Sequence, residues 1–266
     1  MTTPSAEMPS EPPVPGDAPG ARRISLRTHS PFWTYVLIGA NVVIWLILTI
    51  IGAAVFGARN ATEDGAFMLV FGAKFNELIS AGQWWRLLSA MFLHFGLLHL
   101  LMNSFSLYQL GPQVEQFFGR GRFLAIYLLA GLYGNLFSYL FSDSLSAGAS
   151  GAIFGLLGAF IAYLRRYRAL FGESGKQALQ SMLVVLGINL VYGITSGVVD
   201  NYGHVGGLIA GFVVGELLRP EYALRLSGGE PQTLADTRGP SHTRLVTALG
   251  LLGVLAGVGL GTWLGR

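Results

Sequence analysis

Residues 202–218 read Tyr-Gly-His-Val-Gly-Gly-Leu-Ile-Ala-Gly-Phe-Val-Val-Gly-Glu-Leu-Leu. Gly203, Gly207, Gly211 and Gly215 recur every four residues, so on a helix they share one face. In water each would weaken a helix by about 1 kcal/mol relative to alanine. In a bilayer the same stripe makes a groove in which helix backbones approach closely. The segment therefore reads as a short membrane helix built for tight packing, with one imidazole, His204, near its start.

The remainder of the chain agrees. It has 266 residues, 52% hydrophobic and 12% charged, whereas a soluble domain carries about a quarter charged residues. That composition rules out a soluble globular enzyme as the leading reading, and its hydrophobicity excludes a disordered chain. There is no cysteine, hence no disulfide framework, thiolate metal site or Cys nucleophile. The net charge of +3 is small, and the basic residues sit at segment ends, so nucleic acid is not an expected partner.

A spanning helix needs about 20 apolar residues. Candidates are 33–56, 97–116, 121–142, 150–167, 177–198, 202–218 and 244–264. The expected fold class is all-α: a polytopic membrane helix bundle, with a six-helix core at 32–218 and a seventh transmembrane helix at 244–266. Residues 1–31, rich in Pro, Ala, Ser and Glu, read as a disordered cytoplasmic tail without the apolar run of a signal peptide. Residues 219–243 read as a cytoplasmic linker. Placing the N-terminus inside leaves Arg59, Lys74, Arg86 and Arg266 outside; the other 13 of the 17 Lys and Arg fall inside (17 − 4), as the positive-inside rule requires. The long 57–96 loop is then external.

Polar groups inside apolar segments are functional hypotheses by default. His94, His99 and His204 lie in or beside such segments, while His29 and His242 lie in polar tails. Asn103 follows His99 by one turn on the same face. Spans two, four and six all run from outside to inside, so His99, Asn103, Ser150 and His204 share one depth near the outer surface. Gly151, Gly155 and Ala159 give the fourth span a groove to match that of the sixth. The stripes serve either contacts within the chain, which would bring Ser150 to His204, or contacts between copies, so the oligomeric state stays open. A serine hydroxyl becomes a nucleophile when a base removes its proton. His204 is the expected base, with the Ser150 amide and the side chains of His99 and Asn103 as oxyanion donors. Asp200, four residues before His204, is expected to cap a helix rather than complete a triad. Glu115 is expected to satisfy loop backbone donors. Each short motif alone is weak; the conjunction of order, helix and depth carries the reading.

With Trp85-Arg86, the run His94–Asn103 (HFGLLHLLMN), Leu110–Glu115 (LGPQVE), Gly148-Ala149-Ser150-Gly151 and Gly203-His204-Val205-Gly206-Gly207 in view, residues 33–218 resemble the rhomboid family of intramembrane serine proteases. That resemblance implies a Ser150 nucleophile and a His204 base, with oxyanion stabilisation by His99, Asn103 and the Ser150 amide. It implies that His94 supports the polar network, that Phe154 stacks on His204, and that Trp85-Arg86 shapes the outer loop. It implies transmembrane protein substrates cut near helix-weakening residues, and no cofactor.

The expected function is thus peptide-bond hydrolysis in or near a lipid bilayer, in a bacterial plasma membrane, at a site opening to the extracytoplasmic side. Two other classes compete. A non-cleaving rhomboid-like protein would bind clients without needing Ser150 or His204. A transporter would show polar residues at several depths. A zinc trio of His94, His99 and His204 is not expected, because no carboxylate or thiolate supports it.

Overall fold

A computed structural model describes residues 25–26, 30–196, 200–225 and 233–266. They divide into two units, one of 30–196, 200–220 and 238–266 and one of 25–26, 221–225 and 233–237.

The larger unit is a polytopic helical bundle. Helix α1 (Trp33–Phe56) is followed by a long loop containing the short helices α2 (Gly65–Val70), α3 (Asn76–Ser80) and α4 (Arg86–Ser89). Then come α5 (Gly96–Phe118), α6 (Arg120–Phe141), α7 (Ser150–Ser196), α8 (Asn201–Leu218) and α9 (Pro240–Trp263). Non-helical backbone at Tyr167 and Gly172 divides α7 into two rods, which correspond to the fourth and fifth expected spans. Residues 197 and 198, the end of the fifth, lie outside the described residues. By length and composition α1, α6 and α9 are apolar enough to cross a membrane. The segment Arg86–Phe92 and α5 make a fourth together, bent by 89°. Helix α8 is less apolar, carrying Asn201, His204, Glu216 and five glycines among its 18 residues. This is the integral membrane architecture read from the sequence.

The core is built by α6, the first rod of α7, and α8. A Cβ added at Gly207 would lie 2.1 Å from the carbonyl oxygen of Gly151, and one at Gly211 would lie 2.0 Å from that of Gly155. One at Gly215 would lie 2.5 Å from Ala159 Cα. Backbone therefore meets backbone along three turns, and the glycine stripe is used within the chain. On α6, Gly134 abuts the Gly203 carbonyl, where a Cβ would come to 2.7 Å.

Helix α9 lies along α6. Gly250, Gly253, Gly257 and Gly261 receive Leu129, Tyr133, Leu136 and Tyr139, and Tyr133 Oη donates to the Gly250 carbonyl at 3.0 Å. At the other end of the bundle α5 holds α1. The Glu115 carboxylate, fully buried, accepts from the amides of Phe32, Trp33 and Thr34 and from Thr34 Oγ1, at 2.8–2.9 Å. These amides begin α1 and have no intrahelical partner, so Glu115 caps the helix from a neighbouring one.

The smaller unit is a three-stranded sheet of β1 (Ser25–Leu26), β2 (Tyr222–Arg225) and β3 (Thr233–Asp236), in the order β1-β3-β2. β1 runs parallel to β3, and β2 antiparallel to it, with Tyr222 opposite Asp236. The segment 219–243, expected as a linker, thus contains two strands, and α9 starts at Pro240 rather than 244. Proline at the first helical turn needs no amide partner and presets the helical φ. The expected disordered tail falls mostly on residues 1–24 and 27–29, outside the described residues.

Candidate active site

Ser150 opens α7, and the loop before it is fixed from three sides. Lys74 and Ser146 exchange backbone hydrogen bonds at 2.8 and 3.1 Å. The Gly148 amide donates to the Ala90 carbonyl at 2.8 Å, and the Ala149 amide to His94 Nε2 at 3.4 Å. Gly148 has φ 137°, and a Cβ there would lie 2.8 Å from His99 Cε1. Only glycine takes that backbone conformation without strain and leaves room for the imidazole.

His204 lies in the first turn of α8. Asp200 caps that helix, its Oδ1 accepting from the Gly203 amide at 3.0 Å. Because α7 and α8 touch through glycine, the Ser150 hydroxyl and His204 Nε2 come to 2.7 Å. His204 is buried and stacks on Phe154, ring centroids 4.3 Å apart and planes 10° from parallel. Its Nδ1 has no hydrogen-bond partner among the described residues. Asp200, the nearest acidic candidate in sequence, is instead occupied by the helix end and by the Ser138 hydroxyl.

His99, Asn103, Ser150 and His204 line one cavity of about 590 Å³. His94 stands behind His99, with the rings edge to face at 5.3 Å. The Asn103 amide donates to the His99 carbonyl at 3.1 Å, so its donor is engaged on its own helix. One face of α5 runs along the cavity from Leu98 to Gln113, and Ser181 and Met182 from the second rod of α7 also line it. The arrangement brings a hydroxyl, a base able to take its proton and several N–H donors to one cavity wall, which are the parts that acyl transfer needs. No group of three or more His, Cys, Asp or Glu side chains suited to a metal is present among the described residues.

The loop between α1 and α5 is tied by buried cations. Arg86 donates to Gln83 Oε1 and to the carbonyls of Leu69 and Ala73 at 2.7–2.9 Å, while its guanidinium lies over the Trp85 ring. Lys74 is fully buried and gives its ammonium to the carbonyls of Ser142 and Ser144 at 2.9 and 3.1 Å. Burial pushes the Lys74 ammonium down to about 8. Neither Lys74 nor Ser138 was marked by any motif. A lone lysine in a loop reads as solvated, and its burial follows from a tertiary contact.

Fold and site together define a polytopic membrane protein with a serine and a histidine paired on a buried cavity wall. The chain belongs to the rhomboid family: the family model described as Rhomboid domain matches residues 81–221. It is 43% identical over 182 residues to Rhomboid protease GluP of Bacillus subtilis (strain 168), covering 68% of this chain. It is 35% identical over 173 residues to RHOMBOID-like protein 9, chloroplastic, of Arabidopsis thaliana, covering 65% of this chain. It is 41% identical over 143 residues to RHOMBOID-like protein 6, mitochondrial, of Arabidopsis thaliana, covering 53%. The chain spans 34%, 40% and 46% of the lengths of these three relatives.

Proposed function

We propose that the protein is an intramembrane serine endopeptidase that hydrolyses peptide bonds in or near transmembrane segments of membrane proteins, through a Ser150–His204 dyad. The 2.7 Å contact between Ser150 Oγ and His204 Nε2 carries the reading, and membership of the rhomboid family supports it.

His204 Nε2 accepts the Ser150 proton as Oγ attacks the scissile carbonyl carbon. The carbonyl oxygen takes up negative charge, met by the Ser150 amide and by His99 and Asn103 once the Asn103 amide turns from the His99 carbonyl. As the C–N bond breaks, His204 gives its proton to the leaving amine. Water then attacks the Ser150 ester, His204 takes its proton, and the acid is released as Ser150 Oγ is reprotonated. A client helix must unwind at the cut, because its carbonyls are otherwise hydrogen-bonded. The N-terminus is cytoplasmic, the cavity opens to the extracytoplasmic side, and the membrane is a bacterial plasma membrane.

The test is cleavage of a single-span substrate by the protein in liposomes, beside Ser150→Ala and His204→Ala, with a fluorophosphonate probe for Ser150. Cleavage and labelling by wild type alone, unaffected by EDTA, is the expected result. Variants that cut as fast as wild type overturn the site. Client binding by a wild type that neither cuts nor takes the probe favours a non-cleaving binder.

A further inference from the structure

The carboxylate of Asp200 has two occupied oxygens. Oδ1 accepts the Gly203 amide at 3.0 Å, the N-cap bond that begins α8. Oδ2 accepts the hydroxyl of Ser138, a fully buried residue on α6. The Asp200 carbonyl also accepts the His204 amide at 3.2 Å, the first bond of the helix. One residue thus ends the loop, starts the helix that carries the imidazole and fastens that start to a third helix. An N-cap needs only one oxygen, so the second contact is not explained by capping.

Its consequence is orientational. The glycine contacts fix how near α8 lies to α6 and α7, but beyond the Phe137 side chain at Gly206 and the Phe154 ring on His204 they offer little resistance to rolling about the helix axis. A roll of roughly 20° at the ~5 Å radius of a side chain displaces it by about 2 Å, enough to part His204 from Ser150. The Ser138–Asp200 bond is a polar contact off the axis, one turn from His204, and it opposes that roll.

We infer that Asp200, held by Ser138, is a positioning residue that sets the rotation of α8 and so the alignment of His204 with Ser150. The inference rests on the dyad reading above. It concerns placement, and a misplacement of about 1 Å at a reacting group can cost about a hundredfold in rate.

The test compares wild type, Asp200→Ala, Asp200→Asn, Ser138→Ala and the double Ser138→Ala/Asp200→Ala variant in liposomes, by cleavage kinetics and fluorophosphonate labelling rate. Asp200→Ala should lower kcat and the labelling rate about ten- to a hundredfold with KM unchanged. Asp200→Asn, whose side-chain oxygen still caps and whose amide still reaches Ser138, should recover most of the loss. Ser138→Ala should lose at least threefold, and the double variant should match Asp200→Ala, because Asp200→Ala already removes the one contact that Ser138→Ala deletes. If Asp200→Ala does not fold, Ser138→Ala and Asp200→Asn carry the comparison. A kcat within twofold of wild type in Asp200→Ala, or in Ser138→Ala where that variant stands in, overturns the inference; so does a loss confined to KM. A wild type that neither cleaves nor takes the probe overturns the dyad reading and this inference with it.

Discussion

The imidazole of His204 lies flat on the ring of Phe154, so this ring is held from the side as well as from its own helix. Aromatic pairs of this kind contribute about 0.5–1.5 kcal/mol beyond area burial. Phe154→Ala should lower kcat about two- to tenfold, while Phe154→Tyr, which keeps a ring in place, should stay near wild type. Cleavage kinetics at saturating substrate decide it; equal loss in both variants would sink the stacking role.

The α7–α8 seam makes a second prediction. A Cβ at Gly211 would sit 2.0 Å from the Gly155 carbonyl oxygen, so Gly211→Val must force the helices apart. Overpacking costs about 1–3 kcal/mol, and the parted helices should separate Ser150 from His204. Loss of activity with a lowered thermal midpoint is expected. Gly39→Val, with nothing within 4 Å of the added carbon, should match wild type in both measurements.

Lys74 predicts a pH dependence of stability. Its folded value of about 8 lies below the ordinary 10.5 because the charged form is desolvated. Below pH 8 both folded and unfolded chains hold the proton, and the cost of burying the charge is fully present. Between pH 8 and 10.5 the folded chain sheds the proton while the unfolded chain keeps it, so stability rises with pH, by a total on the order of 3 kcal/mol. Thermal unfolding of wild type and Lys74→Met from pH 7 to 10.5 checks this. The wild-type midpoint should climb relative to the variant; parallel curves would contradict it.

Glu115 holds α1 by four hydrogen bonds to one carboxylate. Glu115→Gln places an amide donor against donors and should cost about 2–4 kcal/mol. The thermal midpoint should fall, while kcat at a permissive temperature stays unchanged, because the contact is at the opposite end of α5 from His99.

The site was legible because its polar groups stand in segments that otherwise exclude them. Ser150, His204, His99 and Asn103 line one cavity as their shared depth implied, and of the two uses open to the four-residue glycine spacing the chain makes the internal one, between α7 and α8. Glu115 satisfies backbone donors, as its place in a loop-like motif suggested, though the donors belong to the start of α1. What remained hidden depends on tertiary contact alone. Ser138 is an ordinary serine until α8 lies beside it, Lys74 an ordinary lysine until the Ser142–Ser144 carbonyls close over it. The glycines of α9 carry no polar marker, and their partners are side chains of α6 that any apolar helix would present. The strand pairing of 222–225 with 233–236 was masked by a stretch rich in turn-forming residues.

Gly151 faces Gly207, and Gly155 faces Gly211. Each pair is already the smallest that the genetic code permits on both sides. In most interiors a bulkier residue can be accommodated when its neighbour shrinks, and lineages drift through such exchanges. Here neither partner has an atom left to give up. The seam therefore has no neighbouring solution reachable by paired substitution, and an evolving or engineered version of this protein must vary elsewhere.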